Sequence, residues 1–194
     1  MRKALIGSGG HSKEVMSQMG IKVSVFVDDQ YLVPGSLPLS KFDPSKYSVM
    51  IAISDPETRN SIVERLPKET KYFTFIHPTA LIMGEVEIGE GSFIGAYSIL
   101  TSGIKIGNHA ILNRGNHIGH DCVIGNYFSA MPGAIVSGNV HIGNRVYMGT
   151  NSSIIEKKYL LHDIKLGANS VVVRDITESG VYVGCPSRKV NNEI

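Results

Sequence analysis

The chain has 194 residues and a formal net charge of +2, with 42% hydrophobic and 19% charged residues. This composition is typical of a folded soluble protein and excludes a disordered chain, and so small a charge gives no support for nucleic-acid binding. The apolar run at the start is too short for a signal peptide and no run reaches membrane-spanning length, so we expect a cytoplasmic protein; two cysteines are too few for a disulfide framework.

Strand-like and helix-like segments alternate over residues 1–76. The strand KALI leads into GSGGHS and a helical KEVMSQM, and VSVFV ends at Asp28 and Asp29. VMIAIS is a third strand, DPETRNSIVERL a second helix, and YFTFI a last strand. This pattern predicts a small parallel sheet in the βαβαβ order of a half-Rossmann domain.

The turn after the first strand carries Gly7 and Gly9, and the acid Asp28 follows Gly9 by nineteen residues. This arrangement is similar to the dinucleotide-binding fingerprint, but Ser12 occupies the third glycine position. A tight strand-to-helix turn without a ligand has the same pattern. Residues 1–76 contain one mononucleotide-binding half only, which favours a nucleotide or nucleotide-sugar over NAD.

From His77 to residue 172 the chain repeats every six residues without an insertion, and the sixth position of each hexad is apolar. No helix has a period of six. The period predicts a β-solenoid in which each hexad is a short strand and a corner, and three hexads make a triangular coil of about eighteen residues. The fourth position also points inward, so we expect Cys122 in the core.

Residues eighteen apart stack on the same face of such a prism. The outward fifth positions of one face are Leu81, Ile99, His117, Ile135, Ser153 and Val171. Because most of them are aliphatic, we predict that this face packs against other copies of the chain. Scattered exposed aliphatic residues are the alternative.

The order of these two parts resembles the bacterial nucleotide-sugar N-acetyltransferases of the bacillosamine-pathway type, with the sialic acid O-acetyltransferases as near relatives. The resemblance covers nearly the whole chain and is carried by GSGGH at 7–11, FVDD at 26–29, AISDPETR at 52–59, HDCVIG at 120–125, PGAIVSGNVHIG at 132–143 and VYVGCPSRKV at 181–190.

The resemblance implies an α/β half-Rossmann (βαβαβ) domain at 1–76 that binds a nucleotide-sugar. It implies a left-handed parallel β-helix of hexapeptide repeats at 77–194, with a C-terminal loop. The implied protein is a homotrimer with active sites between subunits. Its implied reaction is acetyl transfer, without a metal, from acetyl-CoA to the amine of a UDP-linked 4-amino sugar, in cell-surface polysaccharide or glycan biosynthesis.

Site residues carry over by position. His120 matches the general base of the family, and Asp121 matches an acidic residue that raises its basicity. The positions that hold the nucleotide-sugar are Gly9, Gly10, His11, Asp28, Asp29, Ser54 and Asn113. The positions expected at acetyl-CoA are Ser129, Thr150, Ala168 and Arg188. Ser129 stands where relatives often have a second histidine.

These groups suit the chemistry. An ammonium has no lone pair, so attack on a thioester needs a neutral amine and a base for its proton, and an imidazole with a pKa near 6.5 fits this role. His120 lies at the second place of its hexad, a corner, from which it can project into a groove. Gly138 lies one coil further on, where we expect it to leave room for substrate and to offer its N–H to the oxyanion.

Other functions compete with this one. A zinc site like that of the β-helical carbonic anhydrases would draw on His109, His117, His120 and His141. Zinc needs converging ligands, whereas we expect His109, His141 and His162 to be ordinary outward polar residues. O-acetylation of sialic acid or a related sugar, a non-catalytic nucleotide-sugar-binding protein and an NAD-linked dehydrogenase are further alternatives.

Overall fold

The structure, a computed structural model, describes residues 1–190. Its N-terminal part contains, in chain order, β1 (Arg2–Ile6), α1 (Gly10–Met19), β2 (Ser24–Val27), β3 (Leu37–Pro38), β4 (Tyr47–Ile51), α2 (Pro56–Arg65) and β5 (Lys71–Tyr72). All pairs in this sheet are parallel, in the order β3-β2-β1-β4-β5. The predicted α/β domain is confirmed, and the short β3 is an addition that its two residues were too few to reveal.

Each helix of this domain begins and ends at residues suited to the position. The backbone of Gly9 is extended just before α1, and Gly20 ends the helix with a φ of 65°, where a side chain would be strained. The Asp55 carboxylate accepts a hydrogen bond of 2.9 Å from the Thr58 N–H, and Pro56 is the first residue of α2. These ends place the first turns of both helices beside the carboxyl ends of β1 and β4.

The rest of the chain is a three-sided prism of short strands. They are, in chain order, β6 (Phe75–Ile76), β7 (Leu81–Ile82), β8 (Val86–Ile88), β9 (Phe93–Ile94), β10 (Ile99–Leu100), β11 (Ile104–Ile106), β12 (Ile111–Leu112), β13 (His117–Ile118), β14 (Val123–Ile124), β15 (Ser129–Ala130), β16 (Ile135–Val136), β17 (His141–Ile142), β18 (Tyr147–Met148), β19 (Ser153–Ile154), β20 (Tyr159–Leu160), β21 (Ile164–Leu166), β22 (Val171–Val172), β23 (Gly180–Val183) and β24 (Arg188–Lys189). Ile99 pairs with His117 and His117 with Ile135, so the eighteen-residue coil is confirmed.

The corners of the prism share one backbone conformation. Every sixth residue has a positive φ: Gly91, Tyr97, Gly103, His109, Gly115, Asp121, Tyr127, Gly133, Asn139, Arg145, Asn151, Lys157, Asp163 and Asn169. This is the third position of each hexad from residue 89 to residue 172. The left-handed conformation suits Gly, Asn and Asp best, which explains why these residues are frequent there.

The three sides of the prism differ in what lies outside them. The covered face (β6, β9, β12, β15, β18, β21, β23 and β24) carries the N-terminal domain, because its Phe93 and Ile111 are buried with α1 and β4 in one apolar cluster. The polar face is β8, β11, β14, β17 and β20, and carries an ion pair of 3.2 Å between Lys105 and Glu87. The aliphatic face is β7, β10, β13, β16, β19 and β22, with Leu81 exposed by 51%.

The strand predicted over YFTFI is divided between the two parts. Lys71 and Tyr72 pair with β4 of the α/β sheet, whereas Phe75 and Ile76 pair with β9 of the prism. The aromatic and β-branched residues of YFTFI are strand formers in either sheet. Strand propensity alone therefore does not predict where one sheet ends and the other begins.

Candidate active site

His120 and Asp121 lie in the turn between β13 and β14, at the corner between the aliphatic and polar faces. His120 Nδ1 lies 2.8 Å from Asp121 Oδ2, and the two side chains are 59% and 63% exposed. A carboxylate can only accept a hydrogen bond, so it favours the tautomer with the proton on Nδ1. Nε2 is then left with a lone pair, as a general base requires.

Two glycines make room for this pair. A β-carbon on Gly138 would lie 2.6 Å from His120 Nε2, and one on Gly103 would lie 2.6 Å from Asp121 Oδ1. Both distances are far below van der Waals contact. The space that we expected Gly138 to leave for substrate is therefore occupied by the imidazole itself, and Gly138 is required for the position of the ring.

The residues expected at acetyl-CoA lie at a different corner. Thr150 follows β18 and Ala168 follows β21, so both lie between the covered and aliphatic faces, and both are exposed. The aliphatic face separates them from His120. A single chain does not bring the expected base and the expected thioester contacts together. Arg188 lies on the exposed strand β24, beside Lys189, which pairs with Glu178 at 3.1 Å.

A cavity of about 230 Å³ opens at the carboxyl ends of β1, β2 and β4. It is lined by Ile6, Gly7, Ser8, Gly9, Val27, Asp28, Tyr31, Ile53, Thr58, Ile62 and Arg65. Gly9 directly precedes α1 and Gly10 is its first residue, so the free N–H groups of this helix end can receive a phosphate. This is the place where open α/β sheets bind ligands.

The two adjacent acids have different surroundings. Asp28 lines the cavity and accepts a hydrogen bond of 2.7 Å from Arg65 Nη1. Asp29 is turned to Ser40 instead, whose backbone N–H and hydroxyl both donate to its carboxylate. These bonds hold the pKa of Asp29 below its usual value. Asp28 is thus available to a ligand in the cavity, and Asp29 is already engaged in fixing a loop.

His11 and Asn113 lie where α1 meets the prism and not in the cavity. The His11 side chain is only 11% exposed and its ring packs edge-to-face against Phe93, with centroids 6.1 Å apart. Burial lowers the pKa of His11. Asn113 is buried, and its amide donates to Glu14 at 3.3 Å. Within residues 1–190 both side chains take part in the packing between the domains. Neither lines the cavity, so the nucleotide-sugar contacts expected of them do not belong to it.

The acetyl-CoA contact expected of Ser129 is wrong. Ser129 is completely buried under the N-terminal domain. Its hydroxyl donates to the Ser54 carbonyl at 2.7 Å and accepts from Arg59 Nη2 at 2.8 Å. Both serines are thereby part of the contact between the domains. The physical reason is that β15 lies in the part of the covered face over which the N-terminal domain packs, so the Ser129 side chain is not accessible to a cofactor.

Arg59 is the main residue that we did not predict. It is completely buried on α2, and burial lowers its pKa to about 9. The signal was present in the sequence, because Arg59 lies three residues after Pro56 and three before Ile62, on the face that α2 buries. A charged side chain at such a position needs several hydrogen-bond partners.

His109 is buried and not an outward polar residue as expected. It is 4% exposed, stacks on Tyr127 with centroids 5.3 Å apart, and meets Tyr72 edge-on at 4.5 Å. Burial, assisted by the nearby Arg59 cation, lowers the pKa of His109 to about 4. His141 and His162 are exposed, as predicted.

This pKa predicts a loss of stability in acid. An unfolded histidine takes up a proton near pH 6.5, whereas folded His109 does so only near pH 4. The contribution of neutral His109 to the free energy of unfolding is therefore complete above pH 6.5 and is lost as the pH falls toward 4. Between pH 7 and pH 5 we expect the wild type to lose about 1–2 kcal/mol of unfolding free energy that a His109→Asn variant keeps. Urea unfolding at both pH values measures this. An equal loss in both proteins would contradict it, and the exposed His141→Asn variant is the control.

Among residues 1–190, no three or more His, Cys, Asp or Glu side chains are grouped so that they could hold a metal ion. In the same range no helix has the length and apolar character needed to cross a membrane.

Comparison with known proteins adds to this geometry. Residues 4–66 match the family described as the PglD N-terminal domain. Over 105 residues, the chain is 28% identical to the GDP-perosamine N-acetyltransferase of Escherichia coli O157:H7. The matched region covers 54% of this chain and 48% of that protein. The chain spans about half the length of that curated relative.

Two solved structures match over almost the whole chain. WeeI from Acinetobacter baumannii AYE is 29% identical, with a TM-score of 0.86, and the match covers 98% of this chain and 100% of that chain. A mutant of the perosamine N-acetyltransferase from Caulobacter crescentus, solved with CoA and GDP-perosamine, is 26% identical, with a TM-score of 0.87 over 99% of this chain and 98% of that chain. The likeness therefore includes both parts of the chain and their arrangement.

Proposed function

We infer that the chain is a nucleotide-sugar N-acetyltransferase of the hexapeptide-repeat superfamily. It transfers the acetyl group of acetyl-CoA to the amine of a nucleotide-linked 4-amino sugar. The observation that carries this proposal is the presence, in one chain, of a cavity at the carboxyl ends of the parallel strands and an exposed His–Asp pair on a prism edge. The full-length likeness to a protein solved with CoA and GDP-perosamine supports it.

The proposed reaction is direct. The neutral amine nitrogen attacks the thioester carbonyl, and His120 Nε2 takes the proton that the nitrogen must lose. The tetrahedral intermediate then collapses, the bond from carbon to sulfur breaks, and the proton passes to the CoA thiolate. Asp121 holds the Nδ1–H and stabilises the imidazolium that forms between these steps. No acyl-enzyme is needed, and we propose the Gly138 N–H as a donor to the oxyanion.

We further propose that the active site is built from two copies of the chain in a homotrimer. The predicted interface residues on the aliphatic face are Leu81, Ile99, His117, Ile135 and Val171, which stack in one sheet. His120 lies at one edge of this face, and Thr150 and Ala168 lie at the other. Packing of these faces would bring the base of one copy beside the acetyl-CoA edge of the next.

The test is a panel of UDP-, GDP- and dTDP-linked 4-amino sugars with acetyl-CoA, read by release of free thiol and by the mass of the sugar product. We expect one nucleotide series to be acetylated on nitrogen. UDP is our sequence-based expectation, and the likeness to a GDP-perosamine enzyme makes GDP an equal candidate. Tight binding of a nucleotide-sugar without thiol release would contradict catalysis and favour a binding protein, and acetylation only at a hydroxyl would favour an O-acetyltransferase.

A further inference from the structure

The buried Arg59 guanidinium joins the nucleotide cavity to the prism. Its Nη1 donates to the Ile53 carbonyl at 2.6 Å, within its own domain. Its Nε donates to the His109 carbonyl at 2.8 Å, and its Nη2 donates to the Tyr127 and Phe128 carbonyls at 2.9 and 3.1 Å. His109 and Tyr127 occupy the same corner in successive coils. One side chain therefore binds two coils of the prism and one strand end of the other domain.

The partners of Arg59 are neutral oxygens, which makes this contact different from an ion pair. Within residues 1–190 its five acceptors are backbone carbonyls and the Ser129 hydroxyl. Ser129 adds a second link, because its own hydroxyl donates to the Ser54 carbonyl at 2.7 Å. Since the planar guanidinium presents its donors in a fixed fork, it sets the direction as well as the distance between the two domains.

The segments held in this way are those that line the cavity. Ile53 lines it just after β4, and α2 lines it with Thr58, Ile62 and Arg65. Arg59 leaves the same helix toward the prism. Any shift of α2 against the prism would therefore move the nucleotide relative to the edges of the aliphatic face, where we propose that transfer takes place.

We propose that Arg59, with Ser129, is a positioning residue that sets where the sugar of a bound nucleotide-sugar lies relative to the acetyl group. This inference rests on the proposed function. Nucleotide affinity comes from the cavity alone, so it should survive loss of the Arg59 and Ser129 hydrogen bonds between the domains. Turnover, in contrast, depends on the placement of the reacting atoms. Displacements of about 1 Å lower such rates by up to about 100-fold.

The variants are Arg59→Met, Arg59→Lys and Ser129→Ala, with Ser152→Ala as control because Ser152 is buried inside the prism and its hydroxyl bonds the Gly149 carbonyl. We expect kcat to fall about tenfold or more in Arg59→Met and about threefold in Ser129→Ala. Lysine has one donor group and does not span both domains, so Arg59→Lys should not restore kcat. Calorimetry with UDP and GDP should give a Kd and a binding stoichiometry for these variants within about twofold of the wild-type values. The control Ser152→Ala should match the wild type within the same range in kcat, Kd and stoichiometry.

Two results overturn the proposal: an unchanged kcat in Arg59→Met, or a loss of kcat matched by an equal loss of nucleotide-binding stoichiometry, which would mean simple unfolding. If Arg59→Met does not fold, Ser129→Ala is judged by the same criteria. If the wild type acetylates no nucleotide-linked amino sugar, the proposed function fails by itself. Hydrogen exchange then tests the Arg59 and Ser129 hydrogen bonds between the domains: the proposal predicts faster exchange at 53–58 and 127–129 in Arg59→Met and Ser129→Ala, with unchanged exchange in α1.

Discussion

Replacing His120 with alanine is expected to lower kcat/KM for acetyl transfer by about 10²–10⁴-fold. The physical reason is the loss of the imidazole, whose pKa near 6.5 suits it to take the proton of the attacking amine, whereas a carboxylate such as that of Asp121 is a much weaker base. The side chain is exposed, and its only polar contact within residues 1–190 is the bond to Asp121, so its removal should leave the fold intact. Steady-state thiol release, together with thermal unfolding, measures both expectations.

The matched control is His141→Ala. His141 is exposed on the polar face, one coil from Val123, and we assign it no role. It should retain wild-type kcat and KM. A loss of only a few fold in His120→Ala would contradict the base assignment, and so would an equal loss in the two variants.

Replacing Ile135 with arginine is expected to break the assembly and to lower activity by about 100-fold or more, since a charge would be buried without a partner between copies. Ile135 is 43% exposed in the single chain, in the middle of the aliphatic face. If transfer needs two copies, dispersing them removes the active site although each chain stays folded. Light scattering and thiol release on the same sample measure the effect.

Val123→Arg is a close control for this variant. Val123 occupies the same hexad position on the polar face, is 42% exposed, and pairs with Lys105 and His141. It should assemble and turn over as the wild type does. A monomeric Ile135→Arg with full activity would contradict the two-copy site, and an equal effect of both substitutions would mean that the aliphatic face is not the interface.

The repeat was predictable because each hexad obeys the same local rule. The sixth position is buried in coil after coil, as in Leu100, Ile118 and Val136. A fixed period also sets the register, so the stacking of residues eighteen apart followed without any knowledge of long-range contacts. The corner position of His120 and the core position of Cys122 were predicted in the same way.

The contacts between the two domains were not predictable from local pattern. Ser129, Asn113 and His109 all lie where a hexad points outward or turns, and each is buried only because the N-terminal domain lies over it. One signal was present: Phe75, Phe93 and Ile111 are eighteen apart and apolar. The same reasoning that predicted the aliphatic face would have predicted the covered face from them.

Substrate contacts taken from a resemblance were limited by the surroundings of each side chain in this chain. Gly9 and Asp28 line the cavity, as a nucleotide site requires. Asp29 is engaged by Ser40, and His11 is packed against Phe93. Neighbouring residues of one motif thus face different environments, because successive side chains at a strand end point in different directions.

The central claim, a site shared by two copies, is tested most directly by complementation. His120→Ala lacks the base, and Ala168→Trp is designed to block the opposite edge of the aliphatic face, so each variant alone should be inactive. Co-expressed with different tags and purified through both, mixed trimers should recover about a third of wild-type activity, because a trimer that contains both variants places an intact His120 beside an intact Ala168 at about one of its three sites. Mixed assemblies no more active than the separate variants would contradict the claim, because they would mean that both edges act within one chain.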